Sequence, residues 1–422
     1  MGAINIEKKW VLSFFISSFM CVFLLVTSFN LGLVSSLDRI NSIFSIFSRG
    51  VSGNQTDNPA FIEAKLKQPP PAPAAPSVPR FAYLVSGSKG DLEKLWRTLK
   101  ALYHPWNHYI VHLDLESSVE ERLELASRVE REPIFVKTGN VYMIKKANMV
   151  TYRGPTMVSN TLHASAILLR KSKEWDWFIN LSASDYPLVT QDDLLSTFTT
   201  VNRTLNFIEH TSRLGWKEGQ RAKPVIIDPG LYGTTKQDVF WTTEKREVPT
   251  AYKLFTGSAW MIISRSFVEY IIWGWDNLPR TLLMYYSNFL SSPEGYFHTI
   301  ICNVPEFAET AVNHDMHYIS WDNPPKQHPH VLNINDTFKM ICSGAPFARK
   351  FKRDDPVLDK IDKDLLHREN NSFTPGGWCS GNPPCSEVGE PNKLKPGPGA
   401  RRLGTLMSRI VYSPRFNQTQ CK

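Results

Sequence analysis

The six cysteines of this 422-residue sequence include no Cys-x-x-Cys pair, so nothing in their spacing suggests a zinc site. The first glycine-bearing turn, SGSKGD at 86–91, lacks the full Gly-x-Gly-x-x-Gly fingerprint. That argues against a dinucleotide and leaves a mononucleotide as the better ligand. No internal repeat is visible. Lys and Arg leave a formal charge of +8, but they are spread along the chain, so the charge does not point to nucleic acid. Charge is also missing locally: no charged residue stands between Val11 and Leu37.

That uncharged stretch contains VLSFFISSFMCVFLLVTSF, which meets the roughly 20 residues a bilayer demands. It is longer than a cleaved signal, and no clear Ala-x-Ala site follows it. Lys8 and Lys9 precede it, whereas Asp38 and Arg39 balance each other after it. This asymmetry places residues 1–10 in the cytosol, a signal-anchor at 11–37 in the membrane, and the rest in a lumen. Sequons at Asn54, Asn180, Asn202, Asn335, Asn370 and Asn417 all follow the anchor. Asn180 lies inside the apolar run DWFINLSASD, where a glycan could not be buried, and is expected to stay unmodified. Cys21 belongs to the anchor, while Cys302, Cys342, Cys379, Cys385 and Cys421 face an oxidising compartment. Five is odd, so at most two disulfides form within the chain, and the close pair Cys379 and Cys385 is the first expected.

Residues 38–79 end in QPPPAPAAPSVP, a stretch that favours extended polyproline and reads as a stem. From Arg80 the pattern changes. RFAYLVSG reads as a strand, GDLEKLWRTLKALYH as a helix and HYIVHLD as a second buried strand. A helix over VEERLELASRVER, the short run IFV, a helix through NTLHASAILLRKSKEW and the strand DWFINLSA continue the alternation. It predicts an α/β fold with a parallel sheet. TGSAWMIIS reads as a further strand, with FVEYIIWGW and TLLMYYSNFL as helices. The folded region spans 80–367, and the Gly- and Pro-rich 368–422 reads as a loop-rich tail pinned by cysteines.

In open α/β sheets ligands sit beyond the carboxyl ends of the strands. Asp114, closing HYIVHLD, is placed to bond a ribose hydroxyl, or to serve only as a cap or turn acid. Asp185, after DWFINLSA, brings a second carboxylate to the same edge, or stabilises the Ser-Asp-Tyr-Pro turn before a helix near Gln191. Asp114 and Glu116 form a superficial metal pair, but strand alternation predicts that they point to opposite faces. In SSPEGYFHTI, Glu294 stands at a helix start among Tyr, Phe and His. Such surroundings suit a general base, and a first-turn acid equally suits the helix dipole. APFARKFKRDD presents Arg349, Lys350, Lys352 and Arg353, enough to neutralise a diphosphate if the run is not simply solvated surface. Arg153, Lys217, Arg221 and Lys326 are further cations in loops a substrate could reach.

IVHLDLE, FINLSASDYP, FTGSAW, SSPEGYFHT and APFARKF occur in an order and spacing that resembles glycosyltransferase family 14. This family includes the core-2/I-branching N-acetylglucosaminyltransferases and the xylosyltransferases. The resemblance covers about residues 80–367. YRGPTMVSNTLHASAILLR, DNPPKQHPH and SPEGYFHTIICN look most like its plant branch, the β-glucuronosyltransferases acting on type II arabinogalactan. The resemblance implies a GT-A-type, Rossmann-like fold, an inverting reaction and no metal cofactor. It implies UDP-glucuronate as donor, galactan chains of arabinogalactan proteins as acceptor, and a single-pass Golgi membrane protein with its catalytic domain in the lumen.

The same resemblance implies that Glu294 is the catalytic base and that Lys350 meets the donor diphosphate. Asp114 contacts the nucleotide, with Asp185, Arg349 and Lys326 also on the donor side. Glu209, Lys217, Arg221 and Trp321 hold the acceptor. One position departs from the animal enzymes: where they carry an Arg upstream of Lys350, this chain has Gln327 with Lys326 beside it. A donor carboxylate would need a cation of its own, and Arg153, Arg280 and Arg349 are unranked for that role. Transfer of N-acetylglucosamine or xylose on the same fold, and a silent membrane lectin, are the rival readings. Association with itself or with other Golgi transferases is left open.

Overall fold

Strand β1 (Phe81–Gly87) shows how the fold divides its apolar residues. Phe81, Tyr83 and Val85 enter one buried cluster, and Ala82 and Leu84 enter another on the opposite face. This two-residue alternation, buried on both sides, marks a central strand. The computed structural model describes residues 77–422, without Pro325, Gln327, Asn370, Asn371, 382–384, Ser386 and Arg415; of the earlier chain it describes only Ser18 and Met20. Apart from Ser18 and Met20 the anchor, most of the stem, and the sequons at Asn54 and Asn370 therefore lie outside the described residues. Among the described residues no helix is long and apolar enough to cross a membrane.

After β1 come α1 (Leu92–Leu102), β2 (His108–Leu113), α2 (Val119–Arg131), α3 (Pro133–Thr138) and β3 (Val141–Met143). Ser118 and Glu121 close a capping box on α2, satisfying backbone donors that a bare helix start leaves unpaired. The run IFV, expected to continue the strand-helix alternation, lies in α3. Pro133 opens that helix and Gly139, at φ 65°, closes it. The chain continues through α4 (Thr156–Lys171), β4 (Trp177–Ser182), β5 (Asp185–Pro187), α5 (Gln191–Phe198), β6 (Asn206–Thr211), β7 (Pro224–Ile227), β8 (Phe240–Lys245) and β9 (Thr256–Ser264). Then follow α6 (Arg265–Trp273), α7 (Leu278–Tyr286), α8 (Tyr296–Asn303), α9 (Pro305–Ala308), β10 (Ala311–Val312), β11 (His317–Ile319), α10 (Thr337–Ser343), β12 (Phe347–Arg349), α11 (Pro356–Asp364) and α12 (Pro398–Ile410).

Seven strands form the central sheet in the order β10-β6-β9-β4-β1-β2-β3. β4, β1, β2 and β3 are parallel, but β9 runs antiparallel between β4 and β6. The sheet is therefore mixed, where alternation alone predicted a parallel one. The β7–β8 hairpin separates β6 from β9, and no helix crossover intervenes to restore the direction. The order β3-β2-β1-β4 reverses winding between β1 and β4, which creates a switch-point crevice at their carboxyl ends. A three-stranded sheet, β11-β12-β5, carries Arg349 to that edge.

The segment read as a loop-rich tail contains α12 and packs into the core. Phe373, Trp378, Leu403 and Met407 join the cluster that holds Phe81 and Tyr83. Asp192 and Asp193, in the first turn of α5, accept the backbone N–H groups of Gly377, Lys395 and Gly397. Those acids made the segment adhere, and nothing in local periodicity announced it. Cys379 and Cys385 form the expected disulfide, and Cys302 pairs with Cys421 across 119 positions. Among the described residues Cys342 has no disulfide partner, and it is exposed. Asn180 is buried, with its amide donating to Ala259 O and its Oδ1 accepting from Met261 N, so it has no room for a glycan.

Burial holds His108 and His112 at about 4 and His298 at about 3, against an ordinary 6.5. Each is neutral in the fold and gains a proton on unfolding below 6.5. The unfolded chain then binds more protons, so this stabilisation is complete above pH 6.5 and is lost as pH falls toward 4. Thermal unfolding followed by circular dichroism should show Tm falling steadily from about pH 7 to about pH 4.5.

Candidate active site

Glu294 ends a short 3-10 turn, Ser292–Glu294, immediately before α8. Its position is fixed by backbone as much as by side chain. Glu294 N donates to Ser291 O, and Ser291 N donates to Arg153 O at 2.7 Å, joining the turn to the loop before α4. Gly295 follows because a Cβ there would lie 2.6 Å from the buried Tyr286 ring. Three side chains then converge on the carboxylate. Tyr152 donates its hydroxyl to Oε1 at 2.9 Å, Lys217 reaches Oε2 at 3.3 Å, and Arg221 pairs with the same oxygen. Burial, then the adjacent Glu294 charge, pushes the Tyr152 phenol well up, so it remains the donor in that bond. Oε1 keeps a lone pair for a further hydroxyl.

Glu209 lies on β6 beside this group, its carboxyl pushed up by burial and then by Asp315, with Lys217 opposing. Glu209, Lys217 and Arg221, expected on the acceptor side, are thus assembled around Glu294. Trp321 instead stands on the exposed loop after β11, and the described contacts do not join it to this cluster.

The switch-point crevice is lined by Ser86, Ser88, Asp114, Ser182, Trp260 and Arg349, with Tyr152 and Lys236 at its wall. Asp114 is 1% exposed and accepts Ser88 Oγ at 3.0 Å and Glu116 N at 3.1 Å. It is therefore a turn acid and a crevice-wall residue at once. Burial pushes its carboxyl up, with Lys236 and Ser88 opposing. The alternation argument for Asp114 and Glu116 fails. β2 ends at Leu113, and the turn beyond it brings both carboxylates onto Ser88 and Lys236.

Asp185 sits differently from Asp114. Its carboxylate does not line the crevice; it accepts Ser182 N and Oγ, and lies 3.5 Å from Arg349 Nε. Here the turn-acid reading holds, and Asp185 acts on the crevice through Arg349. That guanidinium stacks 3.9 Å from the Trp260 ring centre. Among the described residues its Nε and NH1 are buried without a hydrogen-bond partner, an uncommon state that an incoming anion would relieve. The other arginines are engaged elsewhere. Arg280 donates to the Gly274 and Trp273 carbonyls at the end of α6, and Arg153 pairs with Asp238.

Lys350 lines an adjoining depression with Lys326, His328 and His330. Burial, then the neighbouring charges of Arg349 and Lys94, lowers its pKa. Lys326 is mostly exposed and pairs with Asp322 at 3.1 Å. Gln327 lies outside the described residues.

Sequence reasoning missed Tyr152, Trp260, Ser88, Lys236 and Asp228. The buried Asp228 holds Thr156 Oγ1 at 2.8 Å and would be struck by a Cβ at Gly154, so it fixes the Tyr152 loop. The motif YRGPT offered Tyr152 beside Arg153, but a tyrosine carries no signal of its own until its partner is known.

Residues 81–341 match the core-2/I-branching enzyme family. The chain is 58% identical to beta-glucuronosyltransferase GlcAT14A of Arabidopsis thaliana, over 99% of this chain and 94% of that protein. It is 51% identical to GlcAT14C of the same plant, over 82% and 86%. Xylosyltransferase 2 of Rattus norvegicus is 27% identical over 74% of this chain and 36% of its own length. The chain belongs to the core-2/I-branching enzyme family.

Proposed function

We propose that this chain is a glucuronosyltransferase that moves glucuronate from UDP-glucuronate to a galactose hydroxyl of type II galactan on arabinogalactan proteins. Identity of 58% over nearly the whole length with a β-glucuronosyltransferase carries the donor assignment. Glu294, held between Tyr152 on one oxygen and Lys217 and Arg221 on the other, supports the chemistry. In this reading Glu294 takes the proton of the attacking hydroxyl, which displaces UDP from the opposite face of C1. An α-linked donor then yields a β-linked product.

The crevice holds UDP with Asp114 toward the ribose. Arg349 takes an anionic group of the donor, and Lys350 with Lys326 draws off the charge of the leaving diphosphate. In this reading the transfer needs no metal, and Lys236, paired with Asp114 and Glu116, supplies a cation at that edge. The fold in this reading is the GT-A type. The segment 11–37 anchors it as a type II Golgi protein, with the stem holding the catalytic domain in the lumen. Incubating the full chain with galactan and UDP-glucuronate, UDP-N-acetylglucosamine or UDP-xylose tests the donor. Only UDP-glucuronate should be consumed at a substantial rate. Preference for either other donor, or glycan binding without UDP release, would overturn the reading.

A further inference from the structure

Two tryptophans stand exposed beside the catalytic cluster. Trp216, leading into the Glu218–Ala222 turn, is 60% exposed, and Trp241 on β8 is 50% exposed. Each is tied to Glu294 through one arginine or its neighbour. Arg221, which pairs with Glu294 Oε2, lies 5.1 Å from the Trp216 ring centre. Arg153 lies 5.9 Å from the Trp241 ring centre, and the preceding residue, Tyr152, donates to Oε1. Trp216 thus stands one arginine away from Oε2, and Trp241 stands by the loop that holds Oε1 through Tyr152. Neither is used by the transfer step itself.

Broad indole faces left open to water beside polar groups suit the pyranose ring, which has an apolar C–H face and a polar rim. Fixing an indole freezes only two side-chain torsions, so the entropy lost on binding is small. A polymeric acceptor must present one hydroxyl at Glu294 and run outward from it, and these rings stand by the two segments that hold the base. The β7–β8 hairpin, which carries Trp241, gives an internal control. Trp241 pairs in register with Ile226 and Phe240 with Ile227, so Phe240, also exposed, points to the opposite face of β8.

We propose that Trp216 and Trp241 are stacking platforms for the sugar units flanking the galactose that reaches Glu294, so that the site is built for a chain and not for a terminal residue alone. This rests on the reading that the acceptor is galactan. The platforms act on acceptor affinity, and their effect grows with acceptor length.

The test compares kcat/KM for a galactan disaccharide and hexasaccharide with the full chain in detergent, at saturating UDP-glucuronate. The wild-type protein should prefer the hexasaccharide by roughly tenfold or more, a ratio that each of Trp216→Ala and Trp241→Ala brings toward one by raising KM for the long acceptor. Trp216→Phe and Trp241→Phe should recover most of the ratio, and Phe240→Ala should leave it at the wild-type value. A wild-type ratio near one, or equal loss on both lengths in the alanine variants, would overturn the platforms while leaving the transfer reaction standing. A Phe240→Ala effect matching Trp241→Ala would mark the hairpin as an apolar docking face for protein or membrane and overturn them too. Absence of glucuronate transfer to either length by the wild-type chain would instead overturn the acceptor reading and, with it, this inference.

Discussion

Glu294→Gln is expected to lower kcat by roughly a thousandfold or more, within the upper range for loss of a general base, with little change in UDP-glucuronate binding. Glutamine keeps the length of the side chain and can still accept from Tyr152. It cannot remove a proton from a sugar hydroxyl. It also frees Lys217 and Arg221, which now pair with Oε2, so acceptor KM should move as well. Glu294→Asp keeps the charge and separates the two effects: acceptor binding should return in part while kcat stays low, because the carboxylate is withdrawn from the hydroxyl. Single-turnover assays with isothermal titration of UDP-glucuronate give both quantities. A Gln variant within tenfold of wild-type kcat would remove Glu294 from the role of base.

Arg349→Met should raise KM for UDP-glucuronate by about a hundredfold, the scale of a charge-assisted hydrogen-bond pair in a buried site. Among the described residues two of its buried nitrogens make no hydrogen bond and its ring neighbour is Trp260, so the guanidinium is held ready at the crevice wall. Methionine preserves much of the stem against Trp260. The change also strips Asp185 of the cation 3.5 Å away, so Tm must be measured beside KM. Arg349→Lys supplies the second readout, since it keeps the charge but loses the planar fork; recovery should be partial. A methionine variant that folds and binds donor like the wild type would show that Arg349 only balances Asp185.

How far the sequence could be read follows from which interactions are local. β1, α1, β2 and β9 were legible because each carries its own period, and β9 was read with its full span, Thr256–Ser264. The reversed direction of β9 was not legible, since residue pattern is the same either way along a buried strand. The opposed reading of Asp114 and Glu116 failed because it extended strand geometry one turn past Leu113. Glu294 was visible as an acid at a helix start, yet its partners lie 142, 77 and 73 positions away in Tyr152, Lys217 and Arg221. Asp185 illustrates the converse: it was noticed for its place at the sheet edge, but its carboxylate turns inward to Ser182 and Arg349. The tail was read as loops because Asp192 and Asp193, which hold it, lie in α5, far away in sequence.

Inverting transfer of glucuronate onto galactose fixes the anomeric form of the product. Full chain, UDP-glucuronate and a galactan oligosaccharide, followed by proton NMR from the first turnover, should show a single new β-glucuronosyl signal appearing as UDP accumulates. An α-glucuronosyl signal, or UDP release with no glucuronide formed, would contradict the direct displacement at Glu294.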